Sequence, residues 1–282
     1  MMEKVIKFGR HDHLVGIITL PDDREASFQK PAILFLNAGL LHRIGPYRLH
    51  VDLGRALTSD GCITMRFDLS GIGDSQFTAE RAEYKENVKN DIQDAMNFIQ
   101  QKYNIDRFEL VGLCSGAANA QMVAAVDHRI IGAVMMDGFA YRTPGFYYHL
   151  FKPHLKNPFH LITAAYKILL QRLRKVIRKP GGEPAKISMF SNIQPPRKQV
   201  AAEFVQLVQR GVAMLCIYSG GISAYYNYAN QFKDMFGSVD FKGLLQLHYF
   251  KDADHTYTAY DQRKKLIACI RQWINEHENL AV

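Results

Sequence analysis

The sequence predicts an α/β fold, with an eight-stranded, mostly parallel sheet, helices on both faces and an inserted helical cap. Three observations carry this expectation. Short apolar, β-branched runs alternate with longer helical ones, which is the pattern of a sheet built from crossover units. All the runs but the first two are separated by segments long enough to hold a helix, as parallel neighbours require. After Asp137 the rhythm breaks for about sixty residues and then resumes, as it does where one core carries an insertion.

The strands are expected at Val5 to Phe8, Leu14 to Leu20, Pro31 to Asn37, Cys62 to Asp68, Arg107 to Leu113, Ile130 to Asp137, Val212 to Ser219 and Leu244 to Phe250. Only Gly9 to His13 joins the first two, so they form an antiparallel hairpin. Helices are expected over 46–59, 83–102, 116–127, 197–210, 223–236 and 258–277. Residues 1–139 and 197–282 then form the core, and 140–196 the cap. The cap opens on an aromatic stretch, Phe139-Ala140-Tyr141 and Phe146-Tyr147-Tyr148. Within it His160 to Lys179 reads as a basic amphipathic helix, with Leu161, Ala165, Leu169, Leu173 and Val176 on one stripe.

Charge sharpens the picture of the cap. From Arg142 to Lys198 there are twelve Lys and Arg against the single acid Glu183, whereas the rest of the chain is slightly acidic. One basic segment on an otherwise near-neutral protein points to a local anionic partner or membrane surface rather than to nucleic acid. No stretch approaches the length of an apolar membrane span, and the first residues lack the apolar core of a signal peptide. A cytoplasmic protein is expected, with the cap as a means of peripheral membrane attachment.

Of four cysteines, Cys62, Cys216 and Cys269 lie in apolar strand or helix patterns and read as small buried hydrophobes, with no CxxC pair to suggest a metal or redox site. Cys114 stands apart, in Gly112-Leu113-Cys114-Ser115-Gly116 between an apolar strand and a helix that starts with small residues. A nucleophile on a sharp strand-to-helix turn needs flanking positions nearly free of side chains, and Gly112 and Gly116 meet that need. The helix N-terminus beneath it favours the thiolate. The general base is expected from the loop after the last strand, where His255 stands in Asp252-Ala253-Asp254-His255. Asp252 and Asp254 read as loop-shaping residues. An oxyanion needs two backbone N–H donors, assigned to Ser115 and to Leu40 in the loop after the third strand. His42 and Arg43 of that loop, Tyr141 at the cap entrance, and Lys167 and Arg172 on the basic helix are the expected substrate-binding residues.

Four motifs together resemble a known family: Asn37 to Arg48, Arg66-Phe67-Asp68-Leu69-Ser70-Gly71-Ile72-Gly73-Asp74-Ser75, the Cys114 elbow, and Ala253-Asp254-His255-Thr256. They are similar to the α/β-hydrolase fold enzymes associated with exosortase systems, within the wider serine aminopeptidase-like hydrolases. The resemblance covers the core and not the cap. It implies an esterase-like or acyl-transfer enzyme without metal or organic cofactor. A dinucleotide site is excluded separately, because Gly71-Ile72-Gly73 is followed by Gln76 where the fingerprint needs glycine.

The triad acid in this fold usually follows the seventh strand, but Ser219-Gly220-Gly221-Ile222-Ser223 holds no carboxylate. Asp137 at the end of the sixth strand is the main substitute, a Cys114–His255 dyad without an acid is the alternative, and Asp252 is the weakest. A thiolate nucleophile tolerates a missing acid better than a serine does. The expected function is attack on an ester or thioester through an acyl-Cys114 intermediate, passed to water or to an acceptor. The substrate is free, or carried by coenzyme A or an acidic carrier protein that the cap docks. The alternative is a non-catalytic binding protein for an acyl or anionic ligand, which kept the pocket and lost turnover.

Overall fold

The structure is a computed structural model that describes residues 1–22, 30–77, 83–153 and 194–278. Eight strands form one sheet in the order β1-β2-β4-β3-β5-β6-β7-β8. They are β1 (Met2–Phe8), β2 (Leu14–Leu20), β3 (Ala32–Leu36), β4 (Thr64–Phe67), β5 (Phe108–Leu113), β6 (Ile130–Met136), β7 (Ala213–Ser219) and β8 (Leu245–Phe250). The β1–β2 hairpin runs from Met2 against Leu20 to Phe8 against Leu14, and β2 is also antiparallel to β4. Every pairing from β4 through β3, β5, β6 and β7 to β8 is parallel. This is the α/β-hydrolase fold.

The central strands show why the chain folds this way. Leu34, Leu36, Leu110, Ala133, Met135, Met214 and Cys216 face one core, and the alternate residues Ile33, Phe35, Val111, Val134, Leu215 and Ile217 face a second. Strands buried on both faces need apolar residues at every position, which explains their continuous rather than alternating hydrophobicity. The first core is covered by α2 (Tyr84–Tyr103), α3 (Ser115–Ala124) and α5 (Arg197–Gln209), through Ile92, Met96, Ala120 and Phe204. The second is covered by α1 (Leu49–Ser59) and α7 (Tyr260–Glu278), through Leu53, Leu57, Ile270 and Ile274.

Several segments differ from expectation; the helix expected over 46–59 starts at Leu49, behind a 3-10 turn at Pro46–Arg48, and the strand expected over Cys62 to Asp68 covers Thr64–Phe67. The helix predicted over 223–236 is only α6 (Gln231–Phe236), preceded by a short 3-10 turn at Gly220–Ile222. Between them side-chain amides replace helical backbone bonds. Gln231 donates from Nε2 to the Tyr225 and Tyr141 carbonyls at 2.6 and 3.0 Å, and its Oε1 accepts from the Asn227 N–H at 2.9 Å. The strand predicted from Val5 begins three residues earlier, at Met2, because the hairpin pairs along its full length. Of the cap, residues 140–153 and 194–196 are described, including α4 (Pro144–Phe151), which Thr143 caps by accepting from the Phe146 N–H at 3.1 Å. The basic helix expected over His160 to Lys179, with Lys167 and Arg172, lies outside the described residues. Among those described, no helix is long and apolar enough to cross a membrane.

Candidate active site

The parallel strands β5, β6 and β7 end side by side, and the loop after β8 bends back over them. Cys114 follows β5 directly, with φ 58° and ψ −115°, a strained conformation for a residue with a side chain. It persists because its neighbours have no Cβ. A Cβ on Gly112 would lie 2.2 Å from the Gly116 carbonyl group, and one on Gly116 would lie 2.8 Å from the Asn37 carbonyl oxygen. Gly112→Ala should therefore destabilise the protein by at least about 1–3 kcal/mol and open the elbow. Thermal unfolding checks the first effect, and the rate of Cys114 alkylation the second.

His255 reaches this turn from the opposite side, joined to Asp137 and to Cys114. Its Nδ1 is 2.8 Å from Asp137 Oδ2. Asp137 follows β6 with φ 48°, and its carboxylate is fully buried. That carboxylate also accepts the Ser219 N–H on Oδ1 and the Ser219 hydroxyl on Oδ2, each at 2.6 Å. These bonds set the charge states of the site. The His255 imidazole is pushed up to about 10, first by its hydrogen bond to Asp137 and then by its bond to Cys114, against the opposing effect of burial. The Cys114 thiol is held below its ordinary value of 9.0, first by the His255 hydrogen bond and with help from the Ser115 N–H, again against burial. Each partner thus favours the charged form of the other, thiolate and imidazolium. The other thiols behave oppositely: burial raises Cys216 strongly and takes Cys269 up to about 11.

The alternatives to Asp137 lie elsewhere. Asp252 is exposed and sits 3.8 Å from Lys251. Asp254 bonds within its own loop, accepting the Thr256 N–H and hydroxyl at 2.9 Å and the Thr258 N–H at 3.0 Å. Burial disfavours its charge, yet bonds from Thr258 and Thr256 bring its carboxyl to about 2. No carboxylate fits at the end of β7. A Cβ on Gly220 would lie 1.9 Å from the Lys251 carbonyl oxygen, and one on Gly221 would lie 2.0 Å from the His255 nitrogen.

The strand order and this elbow frame the comparison with known proteins. A family model described as the α/β hydrolase fold matches residues 31–176, more than half of the chain. The chain belongs to the α/β-hydrolase family. Among solved structures, this α/β hydrolase is similar to a proline iminopeptidase from Mycobacterium smegmatis, with 12% identity, all of both chains covered and a TM-score of 0.61. It is similar to a Pyrococcus furiosus esterase at 13% identity, covering 98% of this chain and 90% of that one with a TM-score of 0.60. It is also similar to a Xanthomonas campestris serine hydrolase without a lid, at 14% identity, 98% and 94% coverage and a TM-score of 0.57. At these identities the likeness is one of fold. No curated protein sequence matches the chain.

In this α/β hydrolase the loop after β3 sits beside the elbow. Ser115 opens α3, and its hydroxyl accepts the Gly39 N–H at 2.7 Å, which ties that loop to the turn carrying Cys114. Leu40 follows, 66% exposed. His42 is also exposed, and its carbonyl accepts the Gly45 N–H at 3.0 Å. Two residues expected to bind substrate are engaged elsewhere. Arg43 pairs with Asp68 and, at 2.7 Å, with Asp74, while its N–H donates to Asp68 Oδ1 at 2.6 Å. It is a strut of the loop, because the buried Asp68 charge needs a cation. The Tyr141 hydroxyl donates to the Pro195 carbonyl at 2.6 Å and so joins the two described ends of the cap.

The bonding roles of Asn37 and Ser219 are not among those the sequence suggested. Asn37 bridges the Leu41 carbonyl at 2.9 Å and the Leu69 N–H at 2.9 Å, holding two loops together. A polar residue at the end of an apolar strand, just after β3 for Asn37 and as the last residue of β7 for Ser219, is the signal that each leaves. Among the described residues no group of three His, Cys, Asp or Glu is arranged to hold a metal ion.

Proposed function

We propose that the chain is an enzyme that cleaves or transfers acyl groups from esters or thioesters through an acyl-Cys114 intermediate. The observation that carries this reading is His255, joined through Nδ1 to buried Asp137 at 2.8 Å and placed near enough to Cys114 for each to shift the other's titration. Family membership supports hydrolase chemistry in general, and the cysteine at the elbow supports the thiol route.

In this mechanism the Cys114 thiolate attacks the substrate carbonyl carbon, and the carbonyl electron pair moves onto oxygen. The N–H groups of Leu40 and Ser115 receive that oxyanion, at preoriented backbone positions that need no reorganisation. The intermediate collapses with loss of the alcohol or thiol, which takes the proton from the His255 imidazolium. Neutral His255 then removes a proton from water or from an acceptor alcohol or amine as that group attacks the thioester. Collapse of the second intermediate releases the acid, ester or amide and restores the thiolate and imidazolium. Asp137 holds the imidazole tautomer and orientation in both halves and stabilises its cation.

Incubation with p-nitrophenyl butyrate and with a butyryl thioester, followed by rapid acid quench and mass spectrometry, should show a butyryl group on Cys114. The absence of any adduct under single turnover, with no release of nitrophenol, favours the non-catalytic binding protein instead.

Lys167, Arg172, Lys175 and Arg178 are cations of the segment His160 to Lys179, which lies outside the described residues. Reversing these charges should raise KM for a coenzyme A or carrier-bound acyl substrate, and affect a short neutral ester much less. The wild-type preference should shrink with added salt, because such fields are screened over about 8 Å at physiological ionic strength. An equal response from both substrates removes any recognition role for the cap charge.

A further inference from the structure

We propose that Ser219 is a positioning residue that sets the orientation of the Asp137 carboxylate, and through it the His255 base; this rests on the catalytic reading of Cys114, His255 and Asp137. A carboxylate held by a single bond is free to rotate about its terminal torsion, which is broad and carries little barrier of its own. Asp137 is held at both oxygens. Ser219 donates its N–H to Oδ1 and its hydroxyl to Oδ2, both at 2.6 Å, and His255 meets Oδ2 at 2.8 Å. The two serine donors come from one residue at the end of β7, so they fix the plane of the carboxylate relative to the adjacent strand. Hydrogen bonds to an ionised acceptor are about twice as strong as neutral ones, and here Ser219 and the Asp137 carboxylate are shielded from water.

The neighbouring residues explain why this task falls to Ser219. Gly221 donates its N–H to the Ala253 carbonyl at 3.0 Å, which draws the histidine loop against the end of β7. At that separation Gly220 and Gly221 have no room for a Cβ. The acid therefore enters from β6. Ser219, the last residue of β7 before that contact, still carries a side chain that points at the acid. Its hydroxyl is fully buried.

The test uses full-length Ser219→Ala and Ser219→Thr. Removing the hydroxyl leaves the Ser219 N–H on Oδ1 and only the His255 ring on Oδ2, so neither the carboxylate plane nor the imidazole angle is set from β7 at that oxygen. Misplacement of a catalytic group by about 1 Å costs on the order of 100-fold. For hydrolysis of p-nitrophenyl butyrate, kcat of Ser219→Ala should fall by about 10- to 100-fold with KM within about twofold. Ser219→Thr, which restores a hydroxyl, should recover most of the loss. The downfield proton resonance of the His255 Nδ1–H···Asp137 bond should broaden or shift in Ser219→Ala and return in Ser219→Thr. An unchanged kcat and resonance in Ser219→Ala overturns the proposal. So does a loss that Ser219→Thr fails to recover while the resonance stays unmoved, since that pattern belongs to packing alone. Acylation of Cys114 in the wild-type protein is scored separately: its failure removes the catalytic reading, whereas its success with a wild-type Ser219→Ala removes only the role of Ser219.

Discussion

Cys114→Ala should abolish both acylation and alkylation at position 114 and lower turnover by about four to six orders of magnitude, the cost of deleting a nucleophile from a unit that acts together. The fold should survive. Cys114 is exposed at the elbow, so truncating it removes little packing, and changes at such positions typically shift stability by about 0.5 kcal/mol or less. The left-handed backbone at 114 is retained by Gly112 and Gly116, not by the thiol. Intact-protein mass spectrometry reads the adduct, and thermal unfolding reads the fold. Substantial residual turnover in a folded Cys114→Ala protein would falsify the acyl-cysteine mechanism. Cys114→Ser should remain folded but be strongly impaired, because a hydroxyl is far harder to ionise than a thiol and the site's imidazole is already protonated by its partners.

Asp137→Asn should cut kcat by at least tenfold and spare KM. The corresponding change in a serine triad costs about four orders of magnitude, and the intrinsic reactivity of a thiolate softens that here. A second readout follows from the titrations. Asp137 is the largest influence raising His255, so the amide lets the imidazole fall from about 10. The hydrogen bond from His255 is in turn the largest influence lowering Cys114, so the thiol should rise towards 9.0. Removing the Asp137 charge acts the other way on Cys114, but it is the smallest of the contributions, so the net shift is upwards. Iodoacetamide alkylation reports the thiolate fraction. Its midpoint should lie below pH 9.0 in the wild type and move up in Asp137→Asn. A downward or absent shift, with full turnover, leaves a Cys114–His255 dyad as the working unit.

The readable parts of the sequence were those with local causes. The Cys114 turn announces itself because two glycines must flank it within five residues. The sheet was readable because strands buried on both faces are apolar without interruption. Asp137 was singled out because Ser219 to Ser223 holds no carboxylate, and its carboxylate lies 2.8 Å from His255 Nδ1. The engagement of Arg43 was not readable, because its partners Asp68 and Asp74 lie 25 and 31 residues away and reach it only after β4 docks beside β3. Residues 223–230 misled for a related reason. The Gln231 side chain, rather than a helical backbone partner, bonds the Tyr225 carbonyl and the Asn227 N–H, which no periodicity records.

The backbone at Asp137 filters what can stand there. With φ at 48°, the position lies in a region that disfavours most L-residues and β-branched ones most of all, while glycine, asparagine and aspartate enter it at least cost. The vocabulary of this site is therefore about three letters long, and only one of them carries charge. Aspartate and asparagine differ there by a single base in their codons and by almost nothing in shape. Sequence drift at this strand end thus has a two-position switch available to it, acid or amide, with the backbone accepting either while the donors on both oxygens favour the acid.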